Sequence, residues 1–129
     1  MRKRSNPGYE KAYQFALQII RICESLTAAR REYVLTKQLL RCGTSIGANL
    51  AEAEGAISGA DLSSKISIAY KECQETKYWI RLLCDAEYLS HEQAEALFDA
   101  ADEIGRILFA SIRTLRIDPA RQAVPARRS

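Results

Sequence analysis

Small residues recur at every fourth position of one helix-forming stretch, at Gly43, Gly47, Ala51 and Gly55. In an α-helix this spacing places them along one face. Each glycine inside a helix costs about 0.5–1 kcal/mol relative to alanine, so the repeat needs a compensating gain. Close approach of a second helix, whose side chain fills the groove, supplies it. The sequence therefore predicts a close-packing seam, whose partner is either another helix of the same chain or another subunit.

Apolar residues also repeat with helical spacing along most of the chain. Only three prolines interrupt its 129 residues, and intervals of three and four positions define four amphipathic stretches. The predicted buried stripes are Tyr9, Tyr13, Ala16, Ile20 and Cys23; Leu35, Leu39, Cys42, Ile46, Asn49 and Ala53; Leu62, Ile66, Ala69, Cys73, Thr76, Ile80 and Leu83; and Ala94, Leu97, Ala101, Ile104, Leu108 and Ile112.

Local signals mark where three of these helices begin. Asn6 followed by Pro7 is a typical start, with asparagine as the N-cap and proline in the first helical position. Ser58 is suited to cap the third helix. Ser90 and Gln93 have the spacing of a capping box for the fourth. The break between the first two helices is placed within residues 26–30, where neither glycine nor proline marks it.

The connections between the four stretches are short, which favours antiparallel neighbours. The prediction is an all-α protein, an up-down-up-down four-helix bundle over residues 8–116. Short disordered basic tails are predicted at residues 1–7 and 117–129.

One polar residue, Asn49, falls on the apolar stripe of the second helix. A buried amide without partners costs about 1–3 kcal/mol, so Asn49 is expected to have specific ones. Ser45 and Glu52 share its face at helical spacing. We interpret the three as a polar network that fixes helix register, or alternatively as part of a binding groove.

The formal charge of +3 is unevenly distributed. Residues 1–7 and 116–129 each sum to +3, so residues 8–115 sum to −3. Basic tails attract RNA or anionic surfaces through counterion release; the alternative is that they are solubilising ends. The residues that would contact a nucleic acid are Arg2, Lys3, Arg4, Arg127 and Arg128 in the tails and Arg30, Arg31, Lys37 and Arg41 near the second helix.

Catalytic chemistry finds no support in the sequence. A di-iron bundle needs two Glu-x-x-His motifs, whereas the only histidine is His91 and the residue three before it is Tyr88. The cysteines form no CxxC pair, and each could approach His91 only through folding. There is no phosphate-binding Gly-Lys-Ser/Thr motif. We therefore expect no enzyme activity, cofactor, metal or small-molecule substrate.

Targeting signals are also missing from the sequence. The basic start is not followed by an apolar segment, as a signal peptide would require. The longest stretch without a charged residue, 42–51, is far shorter than the roughly 20 residues that span a membrane. A cytoplasmic protein with reduced thiols and no membrane association is expected.

Three segments together resemble one bacterial family. They are Gln38–Ala53 (QLLRCGTSIGANLAEA), Lys65–Glu72 (KISIAYKE) and Glu75–Leu83 (ETKYWIRLL). They are similar to the four-helix-bundle family named after the 23S ribosomal RNA intervening sequence, and the likeness extends over about residues 8–115. The resemblance implies an antiparallel bundle that assembles into homopentameric rings and has no established molecular function.

Some members of that family are encoded within insertions of 23S ribosomal RNA genes. A related bundle, the accessory protein of diversity-generating retroelements, is a basic pentamer thought to engage nucleic acid and a reverse transcriptase. The acidic body of this chain departs from that basic pattern, which leaves the tails as the best support for nucleic-acid binding.

Tyr78 and Trp79 are adjacent, so on a helix they point about 100° apart and cannot both fill one narrow stripe. One is expected at a subunit interface, where aromatic residues are enriched; alternatively, Tyr78 lies at the edge of the bundle. The leading hypothesis is a non-enzymatic, self-assembling scaffold or adaptor, a homopentamer. The alternative is an RNA- or DNA-binding module, with a ribosomal RNA or retroelement-like accessory role, that uses the basic tails.

Overall fold

The structure, a computed structural model, describes residues 7–117. Within them lie four α-helices and no strand: α1 Pro7–Arg30, α2 Val34–Ala53, α3 Gly59–Asp85 and α4 His91–Ile117. The all-α prediction is confirmed, and the helices include one residue more at each end than the predicted bundle. The remainder of the two predicted tails lies outside the described residues.

Each helix packs on its neighbours in sequence, and α1 and α4 close the bundle through a smaller contact. No Cα atoms of the diagonal pairs α1/α3 and α2/α4 come within 8 Å of one another. Cross-helix partners run in opposite directions, because Arg41 of α2 pairs with Glu72 of α3 while Glu52 pairs with Lys65. The arrangement is the predicted antiparallel four-helix bundle. None of the four described helices combines the length and the apolar character that a membrane span requires.

The first helix is longer than predicted. It continues through residues 26–30, and the chain turns at Arg31, whose φ is 52°. Glu32 then caps the start of α2: its Oε1 accepts hydrogen bonds from the backbone N of Thr36 at 2.8 Å and from the Thr36 hydroxyl at 3.1 Å. Its Oε2 accepts from the backbone N of Val34 at 3.2 Å. The left-handed backbone at Arg31 ends α1 and the Glu32 carboxylate caps α2, so neither glycine nor proline marks the break.

The predicted caps of the later helices are confirmed. Ser58 Oγ accepts a hydrogen bond from the backbone N of Asp61 at 3.0 Å. Ser90 and Gln93 form the reciprocal capping box: the Gln93 backbone N donates to Ser90 Oγ at 3.1 Å, and the Ser90 backbone N donates to Gln93 Oε1 at 3.0 Å. These bonds satisfy N–H groups that have no partner inside a helix.

The buried stripe of α1 differs from the predicted one. Tyr13 and Ile20 are exposed, and the core residues are Ala12, Phe15, Ile19, Cys23 and Leu26. Both sets have helical spacing and lie on adjacent arcs of α1, so periodicity alone did not select the correct one. The predicted α4 stripe is entirely buried. In α2, Leu50 takes the buried position that the sequence assigned to its neighbour Asn49, which is half-buried.

Candidate interaction surfaces

The glycine seam of α2 packs against α1 of the same chain. Gly43 and Gly47 are buried. A Cβ atom on Gly43 would lie 2.9 Å from both Cγ1 and Cγ2 of Ile19, whereas a Cβ on Gly47 would lie 3.6 Å from the backbone of Ala12. Of the two partners that the sequence left open, the structure places a helix of the same bundle at these glycines.

The other two members of the predicted seam are placed differently. Ala51 is half-buried on the outer side of α2. Gly55 does not belong to the seam, because α2 ends at Ala53. The backbone N of Gly55 donates to Glu52 O at 2.9 Å in the following turn, and this glycine is exposed. The four-residue repeat thus continues in the sequence beyond the end of the helix.

Only part of the predicted polar network forms. Asn49 Nδ2 donates to the Ser45 backbone O at 2.9 Å and to Ser45 Oγ at 3.1 Å. Glu52 lies outside this pair and accepts instead from Lys65 Nζ of α3 at 2.6 Å. Asn49 and Ser45 therefore satisfy one another within one turn of α2, and Glu52 links α2 to α3.

Arg41 belongs to an ionic cluster between α2 and α3 that the sequence did not reveal. Its guanidinium pairs with Glu72 at 3.2 Å and also with Glu75. The Glu75 carboxylate accepts a further bond from the indole N–H of Trp79 at 3.0 Å. Trp79 is half-buried. These partners are 31 or more positions from Arg41, so no local pattern could have indicated them.

Four of the nine basic residues proposed for nucleic-acid contact lie within the part of the chain that the structure describes. Besides Arg41, Arg30 is also engaged: its Nη1 donates to Glu87 O at 2.8 Å, and its guanidinium lies 4.5 Å from the Tyr88 ring centroid. Arg31 and Lys37 are exposed. Pro7 begins the 24-residue α1 and Arg30 ends it, about 35 Å away. The five proposed tail residues (Arg2, Lys3, Arg4, Arg127 and Arg128) lie outside the described residues.

Exposed and half-buried side chains, most of them apolar, group along the outer side of α1 and α2. Tyr13 (47% exposed) and Ile20 lie on the opposite side of α1 from Lys11, which pairs with Glu103 of α4. Leu40, Thr44 and Ala51 lie on the arc of α2 between the glycines that face α1 and the arginine that faces α3. We call these five residues the α1/α2 face.

A second group lies on α3. Ile68, Tyr78 (58% exposed) and Leu82 occupy the arc of this helix that points away from its buried residues. The Tyr78 ring meets the Trp79 ring edge-on, with 5.2 Å between centroids. Of the two aromatic residues proposed for an interface, Tyr78 therefore points outward and Trp79 packs on the core. We call Ile68, Tyr78 and Leu82 the α3 face.

Ligands for a metal ion do not converge in the part of the chain that the structure describes, where no group of three or more His, Cys, Asp or Glu side chains could hold one. Burial raises the pKa of the Cys23 thiol to about 11, and nearby Cys42 contributes in the same direction. Burial likewise raises the pKa of Cys73 to about 11. These thiols serve as small apolar core groups.

Comparisons with known proteins agree with one another. A family model described as 23S rRNA-intervening sequence protein matches residues 4–110. A crystal structure from Bacteroides thetaiotaomicron, of a protein with unknown function from the S23 ribosomal protein family, is 43% identical. That match covers 83% of this chain and 99% of the other, with a TM-score of 0.82. No curated protein matches the chain.

Proposed function

Because this chain belongs to the 23S rRNA-intervening sequence protein family, we propose that it is a non-enzymatic, self-assembling scaffold built as a homopentameric ring. The observation that carries the proposal is the presence of two separate apolar faces on one small bundle. The number of subunits, five, follows from the family resemblance. The geometry of the two faces supports assembly through contacts between successive copies.

Single exposed apolar residues are ordinary on protein surfaces, whereas grouped ones mark contact sites. The α1/α2 face combines Tyr13, Ile20 and Leu40 with the smaller Thr44 and Ala51. The Thr44 hydroxyl donates to Leu40 O at 2.7 Å, so its hydrogen-bonding need is met within the helix. A partner can therefore cover this face without leaving that hydroxyl unpaired.

The α3 face is suited to be the partner of the α1/α2 face. It presents Tyr78, a residue type enriched at interface centres, between Ile68 and Leu82. Since α1 and α3 lie on a diagonal of the bundle, the two faces point to different sides. A contact between different faces of successive copies is heterologous, and it closes into a ring when the rotation between copies allows.

Complementation between two variants tests this mode of assembly. Tyr13→Glu disables the α1/α2 face and Tyr78→Glu disables the α3 face, so each variant alone is expected to be monomeric. An equimolar mixture retains one intact pair of faces and is expected to form a heterodimer, measured by native mass spectrometry. Tyr33→Glu is the matched control, because Tyr33 is 61% exposed outside both faces, and it is expected to assemble as the wild type.

Other outcomes would contradict the proposal. A variant that stays fully assembled alone shows that its face is not used. If the mixture remains monomeric while each single variant is monomeric, the two faces do not bind one another.

A second candidate function, RNA binding through the basic tails, is favoured by the position of the helix ends. The first residues of α1 and the last turns of α4 lie at one end of the bundle, where Gly8, Leu108 and Ser111 line the same cavity. The two segments that each carry a charge of +3, residues 1–7 and 116–129, are therefore joined to the described helices at this end. In a ring of parallel bundles, the charges of all copies would gather on one side and bind multivalently.

Retention of a structured ribosomal RNA fragment on filters tests this candidate. Binding is expected to weaken steeply between low and physiological salt. It is expected to be lost when residues 1–6 and 118–129 are deleted together, whereas Lys37→Ala has little effect. Lack of retention at low salt would reject RNA binding and leave the assembly proposal unaffected.

A further inference from the structure

The fold brings one thiol and the only histidine together. Cys84, in the last turn of α3, places its Sγ 3.6 Å from Nδ1 of His91, the first residue of α4. Seven positions separate them in the sequence, with the α3–α4 connection between. The contact is at the surface, since Cys84 is half-buried and His91 is exposed. A thiol beside an imidazole can transfer its proton to the ring and become a nucleophile.

The other three cysteines are shielded from solvent. Cys23, Cys42 and Cys73 are buried, with exposures of 4% or less. Burial raises the pKa of all three thiols. Because the thiolate is the reactive form, these groups are shielded both sterically and electrostatically. Among the four cysteines, Cys84 therefore combines access to solvent with a neighbouring base.

Cys84 and His91 lie in a groove of about 330 Å³ between α3 and α4. Its apolar part is formed by Ile80, Ala94 and Phe98. The charged groups that face it are Arg81 and Asp85 from α3 and Glu95 and Asp99 from α4. Arg81 Nε lies 4.0 Å from Asp85 Oδ2, so the opposite charges of these two residues largely cancel. The net charge of the groove is then that of two carboxylates.

We propose that Cys84 and His91 form a thiol-modification site that exchanges with small disulfides carrying positive charge. The apolar wall accommodates the aliphatic part of such a molecule, and Glu95 and Asp99 attract its ammonium groups. His91, whose Nδ1 lies 3.6 Å from Sγ of Cys84, is the base positioned to take the thiol proton during the reaction.

The exchange is balanced without a further reactant. His91 accepts the proton of Cys84, and the thiolate attacks one sulfur of the disulfide. A new S–S bond forms to Cys84 as the original S–S bond breaks. The leaving thiolate takes up the proton, so one protein thiol and one disulfide give one mixed disulfide and one free small thiol. An excess of small thiol reverses the reaction.

Rates of reaction with two probes test the site in the folded, full-length protein. Cystamine is dicationic at neutral pH, and glutathione disulfide is anionic. Each rate is divided by that of a free model thiol, and adducts are located by peptide mass spectrometry. We expect modification at Cys84 alone and a relative preference for cystamine of at least about fivefold at low salt, which decreases as salt is added.

Variants separate the contribution of the His91 base from that of the groove carboxylates. An ordinary thiol is only a few per cent ionised at neutral pH, so His91→Gln is expected to slow modification by about 3- to 30-fold, without a change in far-UV circular dichroism. Glu95→Gln is expected to reduce the cystamine preference. Glu92→Gln, the matched control on the same helix outside the groove, is expected to leave it unchanged. Cys84→Ser is expected to abolish adduct formation.

The proposal is overturned by equal rates for wild type and the histidine variant, by equal relative rates for the two disulfides, or by adducts on another cysteine. These readouts concern one thiol in the chain. They are independent of whether the protein assembles, because the Tyr13→Glu monomer can be measured in the same way.

Discussion

Adding one methyl group at each of two seam positions should have opposite effects on stability. In Gly43→Ala, the new Cβ would lie 2.9 Å from both Cγ atoms of Ile19, closer than carbon atoms pack. Ile19 is completely buried and branched at Cβ, so it has little freedom to move aside. Overpacking of this kind costs about 1–3 kcal/mol. Alanine recovers about 0.5–1 kcal/mol through its helix propensity, and we expect a net loss of about 1 kcal/mol.

Gly47→Ala is the matched control on the same helix. Its Cβ would lie 3.6–3.7 Å from Ala12, an ordinary van der Waals distance. The gain in helix propensity then remains without a steric penalty, and the variant should be more stable than the wild type by about 0.5–1 kcal/mol.

Chemical denaturation followed by circular dichroism measures both changes, at one fixed chain concentration because assembly would add to the apparent stability. Ile19→Ala removes the atoms that the Gly43 methyl would strike, and alone it should cost about 2–5 kcal/mol. In that background Gly43→Ala should no longer destabilise. Equal shifts for the two glycine variants, or a Gly43→Ala penalty that persists without the Ile19 side chain, would refute the packing of this seam against α1.

Two predictions concern the helix starts. Ser90→Ala removes one half of the α4 capping box and should lower the free energy of unfolding, measured by chemical denaturation, by about 1 kcal/mol. The control Ser64→Ala, at an exposed position within α3, should change it by no more than a few tenths of a kcal/mol. Similar effects of the two variants would disprove the capping role. Burial opposes ionisation of Glu32, but hydrogen bonds from Thr36, Leu35 and Val34 outweigh it and lower its pKa below 4.5. A lowered carboxyl pKa stabilises the fold above the unfolded-state value, and this contribution is lost as the pH falls through the folded-state value. Glu32→Gln should therefore be less stable than the wild type at pH 7, with a difference that shrinks below pH 4.5; a difference independent of pH would contradict the charged cap.

Features set by neighbouring residues were predictable from the sequence. The caps at Ser58 and Ser90 depend on hydrogen bonds that span three positions. The α4 stripe was also predictable, because its apolar residues form a single arc. In α1, by contrast, tyrosines and aliphatic residues form two adjacent arcs, and only packing against α2 and α4 determines which is buried. The exposed arc then became part of the α1/α2 face.

Contacts between helices were not predictable from local pattern. The sequence predicts Arg41 to contact nucleic acid, but Glu72 and Glu75 of α3 bind it. Glu52 shares a helix face with Asn49, yet it pairs with Lys65 across the bundle. Any of the four cysteines could in principle approach His91 through folding, and the α3–α4 connection brings Cys84 to it. Each of these depends on the register of one helix against the next, which residue spacing within one helix does not encode.

The assembly of the wild-type chain is the most direct test of this account. Sedimentation equilibrium of the full-length protein at micromolar concentration measures its mass without labels or variants. The proposed ring predicts one species of five times the 14.5-kDa chain mass, stable to dilution within that range. A single 14.5-kDa species throughout would contradict self-assembly and would leave the α1/α2 and α3 faces without their proposed role.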